Sequence, residues 1–222
     1  MGSFGKIYSY PGNWRVQRAQ VVASLNNLEV SLAEGFAMGQ TNKTPEFLSK
    51  FPLGKVPAFE GADGFCVAEG AAICSYIASS GPKAAQLLGL SDTKTAARVT
   101  EWSCFAENEL VPNVMPAAVM CLFKIVPFDA QKYDQSASNL LRALRRLEVA
   151  VKDGKKFLVG EELTLADVMV AGPLFFALGY LIDDEMKREV PEVNRYLEGL
   201  SQIPEFKGAF GELKSVASRV KQ

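Results

Sequence analysis

Lys55-Val56-Pro57-Ala58-Phe59-Glu60 is followed by Gly61-Ala62-Asp63-Gly64 and then by Phe65-Cys66-Val67-Ala68-Glu69-Gly70. The first six residues read as a strand, the next four as a turn and Phe65 to Ala68 as the returning strand, which makes an antiparallel hairpin. Glu69-Gly70 opens a helix running from Ala71 to about Ser80, closed by Gly81-Pro82. A proline at the head of the first strand gives up a ladder donor. It fits there if Val56–Pro57 is a cis bond at a binding edge. The Val56 N–H and C=O, left unpaired, can then take a peptide-like ligand as a short antiparallel strand.

Upstream, Lys6 to Tyr10 is a short β-rich run that ends at the turn cluster Pro11-Gly12-Asn13. Trp14 to Asn26 places Ala19, Val22, Ala23 and Leu25 at helical spacing, with Arg15 and Arg18 expected on the surface. Leu28 to Leu32 alternates as a second strand. This β-α-β unit predicts a parallel pair with a right-handed crossover. A polar stretch, 35–43, leads to Thr44-Pro45, an N-cap followed by proline at the first helical position, and so to a short helix ending near Phe51. The order over the first 80 residues is β-α-β-α-β-β-α.

Downstream the signals are helical only. Residues 93–110 read as a helix, with Pro112 and Pro116 predicting a break or kink before a second piece at 117–123. Asp129 caps a long helix to about Val151, with its apolar stripe at Leu140, Leu141, Leu144, Leu147 and Val151. Thr164 caps a helix to about Leu178 that is apolar on all sides, and Pro191 and Pro204 each open another. Asp167 can reach back to the Thr164 backbone, a structural reading of that pair. The assignment is an α/β domain at 1–82, a linker at 83–92 and an all-α domain at 93–222.

Composition bounds the chemistry. The chain has no histidine, which excludes Ser-His-Asp and Cys-His nucleophile activation and His-ligated metals. Cys66, Cys74, Cys104 and Cys121 form no C-x-x-C pair and read as small buried hydrophobes in a reducing compartment, so no metal is expected. A net charge of -1 offers no field for nucleic acid, and no apolar run reaches the roughly 20 residues that cross a bilayer. A cytoplasmic location follows from these readings.

Three features of the first domain converge on one ligand shape. Val56 and Pro57, with Lys55 beside them, form the sheet edge. Glu69 can receive an ammonium, and the free N–H groups of the helix opened by Gly70 attract a carboxylate. The loop Gln40-Thr41-Asn42-Lys43 is placed to reach a second carboxylate. A tripeptide with an amino-acid head, an extended backbone and a far carboxylate, such as glutathione, has that shape.

The element order and these motifs resemble the glutathione transferase fold, a thioredoxin-like domain followed by a helical domain. Tyr10-Pro11-Gly12-Asn13-Trp14-Arg15 and Gly39-Gln40-Thr41-Asn42 resemble, more narrowly, the N-terminal region of the elongation factor 1B gamma subunits. Phe157-Leu158-Val159-Gly160-Glu161, Leu163-Thr164-Leu165-Ala166-Asp167 and Pro204-Glu205-Phe206 extend the likeness over about residues 5–215. The resemblance implies glutathione as ligand or substrate, a homodimer, and a scaffolding role that holds the nucleotide-exchange subunit in translation elongation. It equally implies the alternative of an active transferase that conjugates glutathione to electrophiles or reduces hydroperoxides. In the gamma subunits a further domain follows a charged linker, which would begin near Gln222, so a truncated chain and a free-standing relative both fit.

In that fold a hydroxyl or thiol near the first strand activates the glutathione thiol. No Cys stands there, which argues against mixed-disulfide chemistry. Counting back from Arg18-Ala19 puts Trp14 or Asn13 at the serine position of the serine-type classes. One inserted residue puts Tyr10 at the tyrosine position, and Tyr8 is a third option. The fold usually places Ser after the equivalent of Glu69; here it is Gly70, which implies weaker glutathione binding.

Overall fold

The computed structural model describes residues 2–221, so the end positions 1 and 222 of the domain assignment lie outside it. β1 (Gly5–Tyr8), α1 (Trp14–Leu25) and β2 (Val30–Leu32) form the β-α-β unit, with β1 and β2 parallel and Gly5 opposite Val30. A 3₁₀ turn at Thr41–Lys43 leads into α2 (Pro45–Lys50), where the Thr44 hydroxyl accepts the Phe47 N–H at 3.2 Å. β3 (Ala58–Gly61) and β4 (Cys66–Ala68) make the hairpin, and α3 (Gly70–Ser79) follows. The sheet order is β2-β1-β3-β4, with β3 antiparallel to β1. The elements follow in the expected order β-α-β-α-β-β-α.

Register divides the sheet into two faces. Ile7 and Phe59 are fully buried in the main core with Val22, Ile73 and Ile77 of α1 and α3. On the other face Lys6 pairs with Glu60, and Glu60 with Cys66. The Glu60 carboxylate takes a hydrogen bond from the Tyr8 hydroxyl at 2.5 Å and from Lys50 Nζ at 2.7 Å. Lys50, then Tyr8, hold its pKa down at about 2, against an ordinary 4.5. Asn26 does more than close α1. Its buried amide donates to the Ile77 and Ala78 carbonyls and accepts the Lys83 N–H at 2.9 Å, tying α1 to the end of α3. The 83–92 segment carries a short helix, α4 (Ala84–Leu87), with Leu87 buried.

The second half is helical throughout. α5 (Thr93–Phe105) and α6 (Val111–Cys121) are joined by a single π-helical stretch, Ala106–Leu110. Of the break or kink expected at Pro112 and Pro116, the break does not occur, since the chain is helical from Thr93 to Cys121. Pro112 falls in the first turn after the wide stretch, where the hydrogen-bond ladder has already shifted, so its missing donor interrupts little. α7 (Ala130–Ala150) is capped by Asp129, whose carboxylate accepts the Lys132 N–H. α8 (Leu165–Leu178) is buried along nearly its whole length. Asp167 reaches back to the Thr164 N–H at 2.9 Å and also receives the Leu158 N–H and the Tyr196 hydroxyl, each at 2.8 Å. α9 (Asp184–Glu189), which the sequence did not announce, precedes α10 (Pro191–Ser201) and α11 (Pro204–Phe210). Among the described residues no helix is long and apolar enough to cross a membrane.

Arg18, expected on the surface, is wholly buried where α1 meets α8. Its Nη2 lies 2.7 Å from Glu107 Oε1 in the π-helical stretch, and its Nη1 donates to the Met169 carbonyl at 3.3 Å. Its stem passes so close to α8 that a Cβ on Gly172 would sit 2.5 Å from Arg18 Cδ. The cysteines divide: Cys74 and Cys121 are buried as expected, whereas Cys66 is half-buried and Cys104 exposed.

Two outcomes follow. Gly172→Ala drives a methyl into the Arg18 stem and destabilises the protein by about 1–3 kcal/mol, measured by urea unfolding. The Glu60 contribution, from a carboxylate whose pKa is lowered on folding, is full above about pH 4.5 and is lost as pH falls toward 2. Unfolding free energy measured across that window falls with acid, and Glu60→Gln flattens the slope.

Candidate functional site

The site begins where β1 ends. Ser9 is buried, and the turn through Gly12, at φ +76°, brings Asn13 to cap α1. Asn13 Oδ1 accepts the Arg15 N–H at 3.1 Å, while its Nδ2 donates to Ser9 Oγ at 3.0 Å. Trp14 is buried, stacked on Phe176 and flanked by the guanidinium groups of Arg15 and Arg18. Tyr10 is 40% exposed. Tyr8 points to the sheet face, its hydroxyl donated to Glu60 and its pKa raised, first by burial. Of Tyr10, Asn13 and Trp14, Tyr10 alone carries a hydroxyl, and it is the exposed one of the three.

The loop before α2 is stitched by Asn42. Its buried side chain accepts the Gly39 N–H at 2.6 Å and donates to the Gly54 carbonyl at 2.7 Å. Asn42 thus fixes the turn that immediately precedes Lys55. Gln40 is exposed at the start of the 3₁₀ turn.

The Val56–Pro57 bond is cis, and β3 starts only at Ala58. Among the described residues the main chain of Val56 makes no backbone hydrogen bond. Glu69 has a φ of +70°, a conformation that costs a residue with a Cβ roughly 1–3 kcal/mol. Its carboxylate makes no capping bond to α3.

These elements surround one cavity of about 580 Å³. Lys55, Val56, Pro57, Glu69 and Gly70 line it together, with Lys50, Cys66, Arg15 and Glu107. Gln40, Asn42, Tyr10, Asn13 and Trp14 are not in its wall. Burial pushes the Cys66 thiol pKa up, which disfavours thiolate at this position. Cys66, Arg15 and Glu107 escaped the sequence reading. Strand alternation could have placed Cys66 beside the rim, but no local signal brings Glu107 across from the helical half. The lining brings together the unpaired Val56 main chain, the Glu69 carboxylate beside the start of α3, and the cations Arg15, Lys50 and Lys55.

Comparison with known proteins agrees with the geometry. Residues 3–79 match the family model for the glutathione S-transferase N-terminal domain, and residues 110–204 that for the C-terminal domain. The chain is 40% identical over 219 residues to the glutathione S-transferase-like protein FUS3 of Gibberella moniliformis, covering 99% of this chain and 98% of that one. It is 37% identical over 215 residues to human elongation factor 1-gamma, covering 95% of this chain and 47% of that protein, so it spans about half the length of that relative. Among solved structures, the GST-like domain of elongation factor 1-gamma from Saccharomyces cerevisiae superposes with a TM-score of 0.82 at 22% identity, covering 100% of this chain and 99% of that one. A glutathione S-transferase I bound with lactoylglutathione gives the same TM-score at 23% identity, covering 94% of this chain and 99% of that one. With both halves matched in order and a full-length relative at this identity, the chain belongs to the glutathione S-transferase family.

Proposed function

We propose that the cavity binds glutathione and that the chain is a glutathione-transferase-type domain of the elongation factor 1-gamma kind. One observation carries the reading: the unpaired Val56 main chain, Lys55 and the Glu69-Gly70 start of α3 all face one cavity. The cysteinyl backbone of glutathione pairs with Val56 as an added strand. The Glu69 carboxylate receives the ammonium of the γ-glutamyl head, and the first N–H groups of α3 receive its carboxylate. Lys55 receives the far carboxylate, with Asn42 acting only by holding the turn before it and Gln40 outside the cavity wall. The domain then serves as a cytoplasmic homodimeric scaffold that holds the nucleotide-exchange subunit, a role supported by the likeness to elongation factor 1-gamma along nearly the whole chain.

The exposed Tyr10 side chain and the full-length likeness to fungal glutathione S-transferase-like proteins support a second reading, in which the domain also turns over electrophiles. There a hydroxyl donating to sulfur lowers the thiol pKa of glutathione.

Glutathione binding is tested by calorimetry and by retention on immobilised glutathione. Absence of binding at millimolar ligand removes the glutathione reading. Glu69→Gly relieves the positive φ and raises the melting midpoint by about 2–4 °C, while glutathione affinity falls about tenfold or more with the loss of the ammonium partner. Unchanged affinity would show that Glu69 holds no part of the ligand. The two roles separate by assay. Turnover with a chloronitrobenzene, falling at least tenfold in Tyr10→Phe, marks an enzyme; co-purification with the exchange subunit at micromolar concentration marks the scaffold.

A further inference from the structure

A second cavity, of about 650 Å³, opens in the α/β half and shares no wall residue with the candidate glutathione site. Phe4, Leu28 and Tyr76 give it apolar walls, and Glu29 and Asp63 bring carboxylates to it. No lysine or arginine lines it. The frame is fixed by main-chain bonds around Phe4, just ahead of β1. The Phe4 N–H donates to the Glu29 carbonyl at 2.8 Å, and the Phe4 carbonyl accepts the Ala62 N–H at 3.1 Å. Phe4 is thus tied on one side to the residue that carries the first carboxylate and on the other to the neighbour of the second. Tyr76 of α3 stacks on Phe4 with ring centroids 5.5 Å apart, and packs against Phe65 at 4.8 Å and the buried Phe59 at 5.6 Å. Rings locked on one another hold this apolar surface in place, so little freedom is lost when a ligand covers it.

The charges say what fits. Asp63 Oδ1 accepts the Phe65 N–H at 3.0 Å, which fixes that side chain in the hairpin turn. Among the described residues Asp63 Oδ2 and the Glu29 carboxylate take no hydrogen bond and no ion pair. Exposed carboxylates by themselves are ordinary solvated surface. Here both border an apolar recess that has no cation of its own. An anion is repelled there, and a neutral apolar molecule leaves the two charges unanswered. An apolar body that ends in an ammonium answers both demands. We infer that this cavity is a second binding site, one that takes an organic cation. The aromatic or aliphatic body lies against Phe4, Leu28 and Tyr76, and Glu29 and Asp63 receive the ammonium. A small hydrophobic amine carries this chemistry, and so does a lysine beside an apolar residue in a polypeptide. The site stands independently of the glutathione reading, because no residue is common to the two cavities.

The test titrates phenylpropylamine, the uncharged phenylpropanol, the anion phenylpropionate and the peptide acetyl-phenylalanyl-lysine amide into the whole chain at neutral pH and low salt, followed by amide NMR signals. The amine is expected to shift the Phe4, Leu28 and Ala62 amides to saturation and to bind about tenfold tighter than the alcohol. Phenylpropionate leaves those amides in place. Glu29→Gln combined with Asp63→Asn keeps both side-chain sizes and the acceptor in the hairpin turn, and it removes the advantage of the amine over the alcohol. Raising salt to about 0.5 M weakens the amine and leaves the alcohol unchanged; this arm needs only the wild type, so it decides even where the double variant does not fold. Tighter binding of the peptide than of the amine identifies a basic segment of a polypeptide as the occupant, and the reverse order identifies a small molecule; both orders support the site. Equal affinity for amine and alcohol overturns it, as does a preference for the amine that survives in the double variant. Absence of saturable shifts at those three amides up to about 10 mM amine, an affinity too weak for a built site, overturns it as well.

Discussion

A charge removed from water between the two halves organises this molecule. Arg18 is fully buried in α1, and burying a guanidinium is costly unless it is paired. Its partners come from three places: Glu107 from the π-helical stretch, the Met169 carbonyl from α8, and the face of Trp14 from its own helix. Each partner is held by a separate structural device. The wide turn brings Glu107 to Arg18, Gly172 lets the stem lie against α8, and Phe176 stacks on Trp14. The α/β half and the helical half are therefore joined by a shared electrostatic requirement as well as by apolar packing.

The same arrangement shapes the candidate site. Because Glu107 is drawn inward by Arg18, the helical half contributes a wall to the cavity that starts on the sheet edge. Among the described residues Glu107 pairs with Arg18, and Arg15, one helical turn earlier, lines the same cavity without an ion pair of its own. The wall opposite is built by the backbone. Asn42 ties the loop before α2 to Gly54, which sets where Lys55 and Val56 emerge, and Glu69 accepts a strained φ at the head of α3. Strain of that kind persists where the surrounding structure over-determines it, and it collects at binding sites.

Local signals carried most of the fold. Thr44-Pro45 and Asp129 announced helix starts through side-chain oxygens that the structure shows accepting N–H groups. The Gly61 to Gly64 turn announced the hairpin, and the all-apolar run from Leu165 announced a helix buried on every side. The departures differ in kind. Residue type assigns Arg18 to the surface, and a local rule fails there because the buried arginine depends on Glu107, 89 positions away. Pro112 and Pro116 predict a break or kink, and the chain stays helical across both, with a π-helical stretch just before the first. Cys66 and Cys104, read as buried, are half-buried and exposed.

The amino-acid order by itself determined the thioredoxin-like succession of strands and helices, the helical second half, and the rim at Val56 and Pro57 beside Glu69 and Gly70. These are properties of neighbouring residues: turn chemistry, capping and the period of the apolar positions act within a few peptide units. Only the tertiary structure decided that Arg15, Cys66 and Glu107 stand in the same wall as that rim, and that Asn13 and Trp14 are occupied in capping and stacking. Those facts depend on which charges are paired and which are left over once two separately encoded halves have packed, and no window of the chain contains both partners.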